Sequence, residues 1–408
     1  MAYQNVGTPR FYIDYLSYWA TMGFIKKVWI KPEFDDIAEI EGSFIGLNPS
    51  DPCIIRQTSE TENGETNSLS IAIQLYNSIP TNVVNTINYV GFLGHNLNKP
   101  TDNGLGMSFR VDYHKKHPTW NFPIEGANDW AVAMSPNRVD GVSGEEASII
   151  NTNYNSTADM QGEFTSIDNQ GFSLTKVGHN SPETYEPDAF ALLLRCYGSL
   201  TPIDDHFTGV YTGEWNLNSF IMGNYYDMPH SPDLKLELEI DNDGFDASTT
   251  KGGSHLTNVR YSGPAKWEIN GEQTPPYMIG EPNNFIRRNG RRVWKLSFSY
   301  LSDKDLFASN YMSTHYAETG STSNYNSEDI DTVDGVENQF YYTLGDDNSF
   351  IARVLQFVGN GTRFLFQPSK DNSQADQFAI CQLDQDSLDI KQVANGVYSI
   401  SLKIREVW

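Results

Sequence analysis

Hydrophobic and polar residues alternate with a period of two along much of the chain. The segments at 234–240 (LKLELEI), 293–301 (VWKLSFSYL) and 397–404 (VYSISLKI) each place apolar side chains on one face and mostly polar ones on the other. This alternation is typical of a half-buried β-strand. The sequence therefore predicts a strand in each of the three segments.

Further strands are predicted from short, nearly continuous apolar runs, which suit strands buried on both faces of a sandwich. These runs lie at 87–93, 190–194, 220–222, 350–358 and 363–366. Asn289-Gly290 separates two short arms and predicts a hairpin turn, since both residues tolerate a positive φ. A helical period occurs at 12–23, where Gly23 is a stop signal. We therefore expect an all-β protein with at most one or two short helices.

The length of 408 residues allows two to three domains at roughly 150 residues each. Pro229 and Pro232 interrupt the strands, so we place a boundary there. The prediction is a β-sandwich domain over 1–228, with a long loop insertion around 103–181, and a second β-sandwich or barrel-like domain over 229–408, with a polar loop around 313–338. Loops of this length are usually functional or ordered by a partner.

The charge of the chain narrows the classes of partner. Its 52 Asp and Glu residues outnumber 28 Lys and Arg, which gives a formal net charge of −24. Binding to nucleic acid or to an anionic membrane as the main function is therefore not expected. The apolar runs are far shorter than the ~20 residues that span a bilayer, and the first residues lack a signal-peptide pattern. We expect a chain made in a cytoplasm.

Catalytic and metal-binding motifs are weak. Adjacent acidic pairs suggest the two carboxyl groups of a glycosidase, but pairs arise by chance among 52 acids. They are Asp204-Asp205, Asp346-Asp347 and Glu145-Glu146. The stretch 241–246 (DNDGFD) lacks the spacing of a calcium loop and is better interpreted as a tight β-turn. His114 and His117 have no further ligand beside them. We expect no enzymatic activity, cofactor or metal.

Four arginines form the densest positive charge in this acidic chain. They are Arg287, Arg288, Arg291 and Arg292. Guanidinium groups bind phosphate or a carboxylate-bearing glycan in a bidentate manner. Alternatively, the four arginines dock on the acidic surface of a neighbouring subunit, which a chain of this charge always offers. We favour subunit docking.

Four segments resemble proteins of tailed bacteriophages. Residues 88–97 (NYVGFLGHNL) resemble the strand and turn of phage tail proteins that contain a galactose-binding-like, or discoidin-like, β-sandwich, and 221–234 (IMGNYYDMPHSPDL) resemble a later strand of that fold. Residues 290–301 are similar to a strand of marine phage structural proteins, and 392–408 look like the last strand of a tail-associated domain. The resemblance implies structural roles for His95, Asn96, Asp227, Pro229 and His230.

The function implied by this resemblance is that of a structural component of a tailed phage virion, in the tail tip, baseplate or fibre-attachment region. Such a protein assembles as a symmetric homo-oligomer with other tail proteins as partners, after synthesis in the host cytoplasm. The alternative is a carbohydrate-binding module of the same particle that recognises a host surface glycan. A glycoside hydrolase ranks last.

Overall fold

The structure of the protein is a computed structural model. It describes residues 7–32, 38–41, 44–47, 53–57, 68–75, 89–95, 107–115, 146–148, 165–166, 172–176, 187–196, 215–234, 237–241, 245–259, 291–307, 349–359, 361–372 and 377–407. Strands dominate these residues and pair in antiparallel sheets, so the predicted all-β class is confirmed.

The strands follow one another in two halves of the chain. In the first half they are β1 (Arg10–Asp14), β2 (Ile25–Pro32), β3 (Ala38–Glu41), β4 (Ile54–Gln57), β5 (Ser68–Leu75), β6 (Tyr89–His95), β7 (Met107–Lys115), β8 (Glu146–Ser148), β9 (Thr165–Ser166), β10 (Phe172–Lys176) and β11 (Pro187–Cys196). In the second half they are β12 (Trp215–Asp227), β13 (Glu237–Asp241), β14 (Phe245–Thr249), β15 (His255–Val259), β16 (Arg291–Ser302), β17 (Phe364–Gln367), β18 (Ala379–Leu383), β19 (Ile390–Ala394) and β20 (Val397–Glu406).

Helices in the described residues are short. They are α1 (Tyr15–Thr21), α2 (Asp303–Leu306) and a π-helical turn (Ile351–Leu355) that continues into α3 (Gln356–Val358). The predicted helix at 12–23 begins only at Tyr15, because the residues before it form β1, which pairs with β17. The prediction of a strand at 350–358 is wrong. Ser349 Oγ accepts a hydrogen bond from the Ala352 backbone N–H, and Gly359 ends the turn with φ 51°.

The chain divides into two compact units. One contains residues 15–223 and 265–280, and the other contains 1–14, 224–264 and 281–408. The division at 223/224 is close to the predicted boundary at 228/229. The first residues nevertheless belong with the C-terminal strands, since Arg10 to Tyr12 pair with β17. The stretch predicted as a long loop insertion contains β7 to β10, and the polar loop at 313–338 lies outside the described residues.

The unit of residues 15–223 contains two groups of antiparallel strands. One has the order β2-β5-β11-β7-β8, with β9 also paired to β7. In the other, β6 lies between β10 and the first part of β12, and β4 pairs with the start of β12. Every residue of β6 is buried, and the rings of Phe92 and Phe220 lie 5.3 Å apart. The described part of the predicted strand at 87–93, and the predicted strand at 220–222, are therefore core strands.

The C-terminal unit is built around a sheet of order β1-β17-β18-β20-β16-β13, with β19 also paired to β20. Its core is aromatic. The Phe11 ring lies 5.6 Å from Phe350, 5.6 Å from Phe364 and 5.2 Å from Phe366. Rings at these separations stabilise a core beyond their buried area. The predicted alternation in β16 and β20 is confirmed, since buried and less buried positions alternate along both strands.

Candidate functional site

The predicted arginine cluster is described only in part. Arg287, Arg288 and the Asn289-Gly290 turn lie outside the described residues. Arg291 and Arg292 begin β16, where they pair in register with Asp241 and Ile240 of β13. The two described arginines are therefore placed beside the edge strand of the C-terminal sheet.

Arg292 is bound within its own chain. Its backbone N and Nε each donate to Glu406 Oε2 at 3.0 Å, and its Nη2 donates to Glu406 Oε1 at 3.1 Å. Nη2 also donates to the Phe378 carbonyl at 3.0 Å, and the guanidinium lies 5.1 Å from the Trp294 ring centroid. Glu406 is buried. This arrangement stabilises the sheet, and subunit docking by the cluster stays a prediction.

His95 is the last residue of β6 and is completely buried. Its ring packs edge-on against Phe92, with 6.2 Å between the centroids. Burial lowers the pKa of the imidazole to about 3, so the ring is neutral at physiological pH. The position suits the structural role that the resemblance implies. Asn96, its predicted partner in the turn, lies outside the described residues.

Asp227 ends β12 and forms an ion pair with Arg10 of β1. The Arg10 guanidinium contacts both carboxylate oxygens, with Nη2 to Oδ2 at 2.8 Å, and Lys370 Nζ lies 3.6 Å from Oδ2. Arg10 is buried and lies 4.1 Å from the Tyr225 ring centroid. Burial would raise the pKa of Asp227, but the hydrogen bond and charge of Arg10 outweigh it and lower that pKa.

The segment that follows β12 is a fixed turn. The Met228 backbone N–H donates to the Pro9 carbonyl at 3.0 Å just before Pro229. The ring of His230 lies 6.0 Å from that of Phe298, and its Nδ1 is 2.8 Å from the Ser231 carbonyl oxygen. Asp227, Pro229 and His230 thus belong to one ordered connection. The structural role of this connection stays a prediction.

The outer edge of the C-terminal sheet is β13. Among the described residues, β13 pairs with β16 alone. Glu237 and Glu239 accept contacts from Lys295 at 2.9 and 3.2 Å, and Asp241 accepts one from Arg405 at 2.7 Å. These three carboxylates lie on one face, because the side chains of a strand alternate between faces.

The other face of β13 carries exposed apolar side chains. Leu238 is 53% exposed and Ile240 is 56% exposed. Leu238 lies opposite Trp294, which is buried in the core. The apolar face of the sheet therefore extends outward beyond its covered part. An open strand edge with apolar side chains is a site where another strand can pair.

Directly after β13 in the sequence, β14 and β15 form a hairpin. They pair from Phe245 with Val259 to Thr249 with His255, and among the described residues they pair only with each other. The tip is ordered by a hydrogen bond from the Thr250 N–H to the Ser254 carbonyl at 2.9 Å. Every side chain described from 246 to 257 is exposed, including Leu256 at 56%.

The sequence pattern does not predict this hairpin, which we call the arm. The stretch 241–246 predicts only a turn, and the alternation at 234–240 predicts a half-buried strand. Leu234 instead is 88% exposed, and β13 has no buried face. A two-stranded hairpin is marginally stable by itself in water. The sequence signal that could have indicated an exposed hairpin is the contrast between the apolar residues of 234–240 and the polar sequence of 246–257.

Other kinds of site receive no support from the described residues. Within them, no group of three or more His, Cys, Asp or Glu side chains is placed to hold a metal ion. No helix in the same part of the chain is long and apolar enough to cross a membrane. Cys53 and Cys381 are buried cysteines, and burial raises the pKa of the Cys381 thiol well above its usual value. Such a thiol is chemically inert.

The aromatic pair at 225–226 is packed rather than displayed. Tyr226 is buried, its ring lies 5.8 Å from that of Phe350, and its hydroxyl donates to the Asp305 carbonyl at 3.1 Å. Tyr225 has the Arg10 guanidinium over its face. Tyr226 is thus a core residue, and one face of the Tyr225 ring is covered by Arg10.

The arm and the adjacent edge of β13 are the features of the described residues that are best suited to contact another molecule. Comparison with known proteins adds no further assignment: no protein-family model, curated protein or solved structure matches the chain.

Proposed function

We propose that this chain is a non-enzymatic structural subunit that assembles with further copies of itself. The observation that carries the proposal is the arm, a β-hairpin whose described side chains from 246 to 257 are all exposed. A two-stranded hairpin by itself is only marginally stable in water. A role in holding a neighbouring molecule accounts for an ordered hairpin in this position.

The particle that we propose is the virion of a tailed bacteriophage, with the chain in the tail tip, baseplate or fibre-attachment region. The support is the sequence resemblance around 88–97, 221–234 and 290–301. The described parts of these segments are buried core strands and an ordered turn, which fits a structural role. The partners would be copies of this chain and other tail proteins.

Recognition of a host glycan has less support. Tyr225 and Tyr226 are engaged by side chains of their own unit. Among the described aromatic side chains, Tyr300 is 80% exposed, but a single exposed ring does not form a sugar-binding platform. The receptor-binding alternative therefore depends on residues outside the described part of the chain.

The location is tested on purified phage particles. An antibody raised against the full chain is applied to particles of the phage that encodes it, and bound antibody is located by electron microscopy. The proposal predicts label at the tail, with several copies of the chain per particle by quantitative mass spectrometry. Purified infectious particles that contain no copy of the chain would refute the virion assignment.

A further inference from the structure

We propose that the arm of one copy adds as extra strands to the open edge of β13 in a second copy. This inference rests on the proposed assembly function and specifies the surfaces that perform it. The arm consists of residues 245–259, and the acceptor is the edge strand β13 (Glu237–Asp241). The contact is a β-augmentation, in which main-chain hydrogen bonds supply affinity and alternate side chains supply specificity.

The acceptor edge offers two kinds of contact. Because β13 pairs with β16 on one side only among the described residues, half of its backbone N–H and C=O groups are directed to the open side. Leu238 and Ile240 are more than half exposed and continue the apolar face that Trp294 begins. A strand added here satisfies the backbone groups and covers the two apolar side chains.

A second β13 strand is the wrong occupant for this edge. Glu237, Glu239 and Asp241 share one face, so two antiparallel β13 strands would bring three carboxylates from each copy onto the same surface. Lys295 already binds both glutamates and Arg405 binds Asp241, so neither cation is available to a second set. Like charges directly opposite one another destabilise a strand pair. Self-pairing of β13 is therefore disfavoured.

The arm suits the edge in length, charge and pattern. Both arm strands and β13 have five residues. The formal charges of Asp246 and Lys251 cancel within the described side chains of the arm, so its approach meets no strong repulsion. The arm also carries the exposed Leu256, which can lie beside Leu238 and Ile240 on the apolar face.

The proposed contact joins two different surfaces, the arm of one copy and the edge of the next. An interface of this kind is heterologous, and it produces a closed ring when the rotation between copies closes. The arm follows β13 after only residues 242–244. Each copy therefore presents its donor and its acceptor close together in sequence.

A protective role for the edge makes a different prediction. Charged side chains on an edge strand commonly prevent unwanted pairing. If Glu237, Glu239 and Asp241 only protect the edge, the arm of a second copy never contacts β13. A crosslinking experiment separates the two cases because it reports the contact itself.

The test uses a photoreactive residue in the full-length chain. Leu256 is replaced by p-benzoylphenylalanine, and heavy-isotope-labelled and unlabelled chains are mixed before irradiation. The proposal predicts crosslinked peptides that join the arm of one isotope form to residues 237–241 of the other. Crosslinks confined to one chain, or crosslinks from the arm to other regions only, would overturn it. The same photoreactive residue at Val393, which is exposed to the same extent as Leu256, is the control.

A pair of matched substitutions tests the acceptor. Ile240→Lys and Val393→Lys each change an apolar strand residue of 56% exposure in the same unit. Lysine on the acceptor edge should weaken association by roughly tenfold or more, whereas V393K should leave it unchanged. Circular dichroism and thermal unfolding of each variant confirm that the fold is retained. Equal association of I240K, V393K and the parent chain would overturn the assignment of β13.

The two proposals fail in different ways. Oligomers that persist in I240K and give no crosslink between the arm and β13 refute the arm-to-edge contact, but they leave the assembly function standing. A chain that stays monomeric at every concentration and is absent from particles refutes the assembly function. In that case the crosslinking experiment gives no product between isotope forms.

Discussion

The ion pair between Arg10 and Asp227 should contribute measurably to the stability of the C-terminal unit, and Asp227→Asn tests it. The substitution keeps the size of the side chain and one acceptor oxygen, but it removes the charge that neutralises Arg10. Arg10 is 5% exposed, so the cation would remain buried without its counter-charge. Removal of one partner of a buried pair costs about 3–5 kcal/mol.

The expected loss of unfolding free energy for D227N lies at the lower end of that range, at about 3 kcal/mol. The Asp227 side chain is 28% exposed, so water can partly replace it, and Arg10 keeps its contact with the Tyr225 ring. The double variant R10M/D227N removes both charges and should recover most of that loss. Lys295→Met is the control, because Lys295 and its partners are exposed and its removal should leave the stability of the unit nearly unchanged.

The same pair predicts a pH dependence. Because Arg10 lowers the pKa of Asp227 below its ordinary value of 3.8, the folded state binds this proton less readily than the unfolded state. The contribution of this ion pair to the free energy of unfolding is therefore complete above about pH 5, and it is lost as the pH falls through the lowered pKa of Asp227. D227N has no such carboxyl group and should lose less stability below pH 4 than the parent chain.

Hydrogen exchange with mass spectrometry is the appropriate assay, because a chain with two compact units need not unfold in one step. Peptides that cover β1 and β17 report the opening free energy of the C-terminal unit. An opening free energy of D227N within about 1 kcal/mol of the parent at pH 7, together with an unchanged pH dependence, would refute the reasoning.

Three further substitutions test the packing. Burial lowers the pKa of His95, so the folded state resists its protonation and the parent chain should lose stability as the pH falls from about 6.5 towards 3. His95→Gln should remove this loss. Urea unfolding of both chains across this pH range measures it. Gly91→Ala should destabilise its unit by about 1–3 kcal/mol, since a Cβ there would lie 2.8 Å from Ile221 Cγ1, and thermal unfolding reports the loss. Tyr300→Asn should raise stability by about 0.5–1 kcal/mol, because Tyr300 has φ 64° and asparagine tolerates that conformation better; an unchanged or lower melting temperature would contradict this.

The all-β class could be predicted because strand alternation is a local property. In β16 and β20 the apolar residues lie every second position, and the structure buries that face. The same local pattern at 234–240 does not reveal that Leu238 and Ile240 are exposed. Coverage of a face depends on which element packs against it, and the sequence of a single strand does not contain that information.

The apolar run at 350–358 shows a second limit. A short apolar run has the same appearance in a buried strand and in a buried helical turn. The helical turn is favoured by Ser349, whose hydroxyl oxygen accepts a hydrogen bond from the Ala352 backbone N–H, and by Gly359, which ends the turn with a positive φ. Both residues lie just outside the run, where a pattern based on hydrophobicity gives them no weight.

The arginine cluster was visible in the sequence, whereas its contacts were not. Arg292 binds Glu406, a residue more than a hundred positions later in the chain. Only the pairing of β16 with β20 brings the two together. Asp227 likewise was selected from a motif, and its partner Arg10 became evident only when β1 was placed in the C-terminal sheet.

Sedimentation velocity of the purified full-length chain over a wide range of concentrations tests the central claim most directly. The account predicts a discrete species whose mass is a multiple of the 46.0 kDa chain, and a shift of I240K towards the monomer under the same conditions. A single 46.0 kDa species at every concentration would contradict the claim that this chain is an assembling subunit.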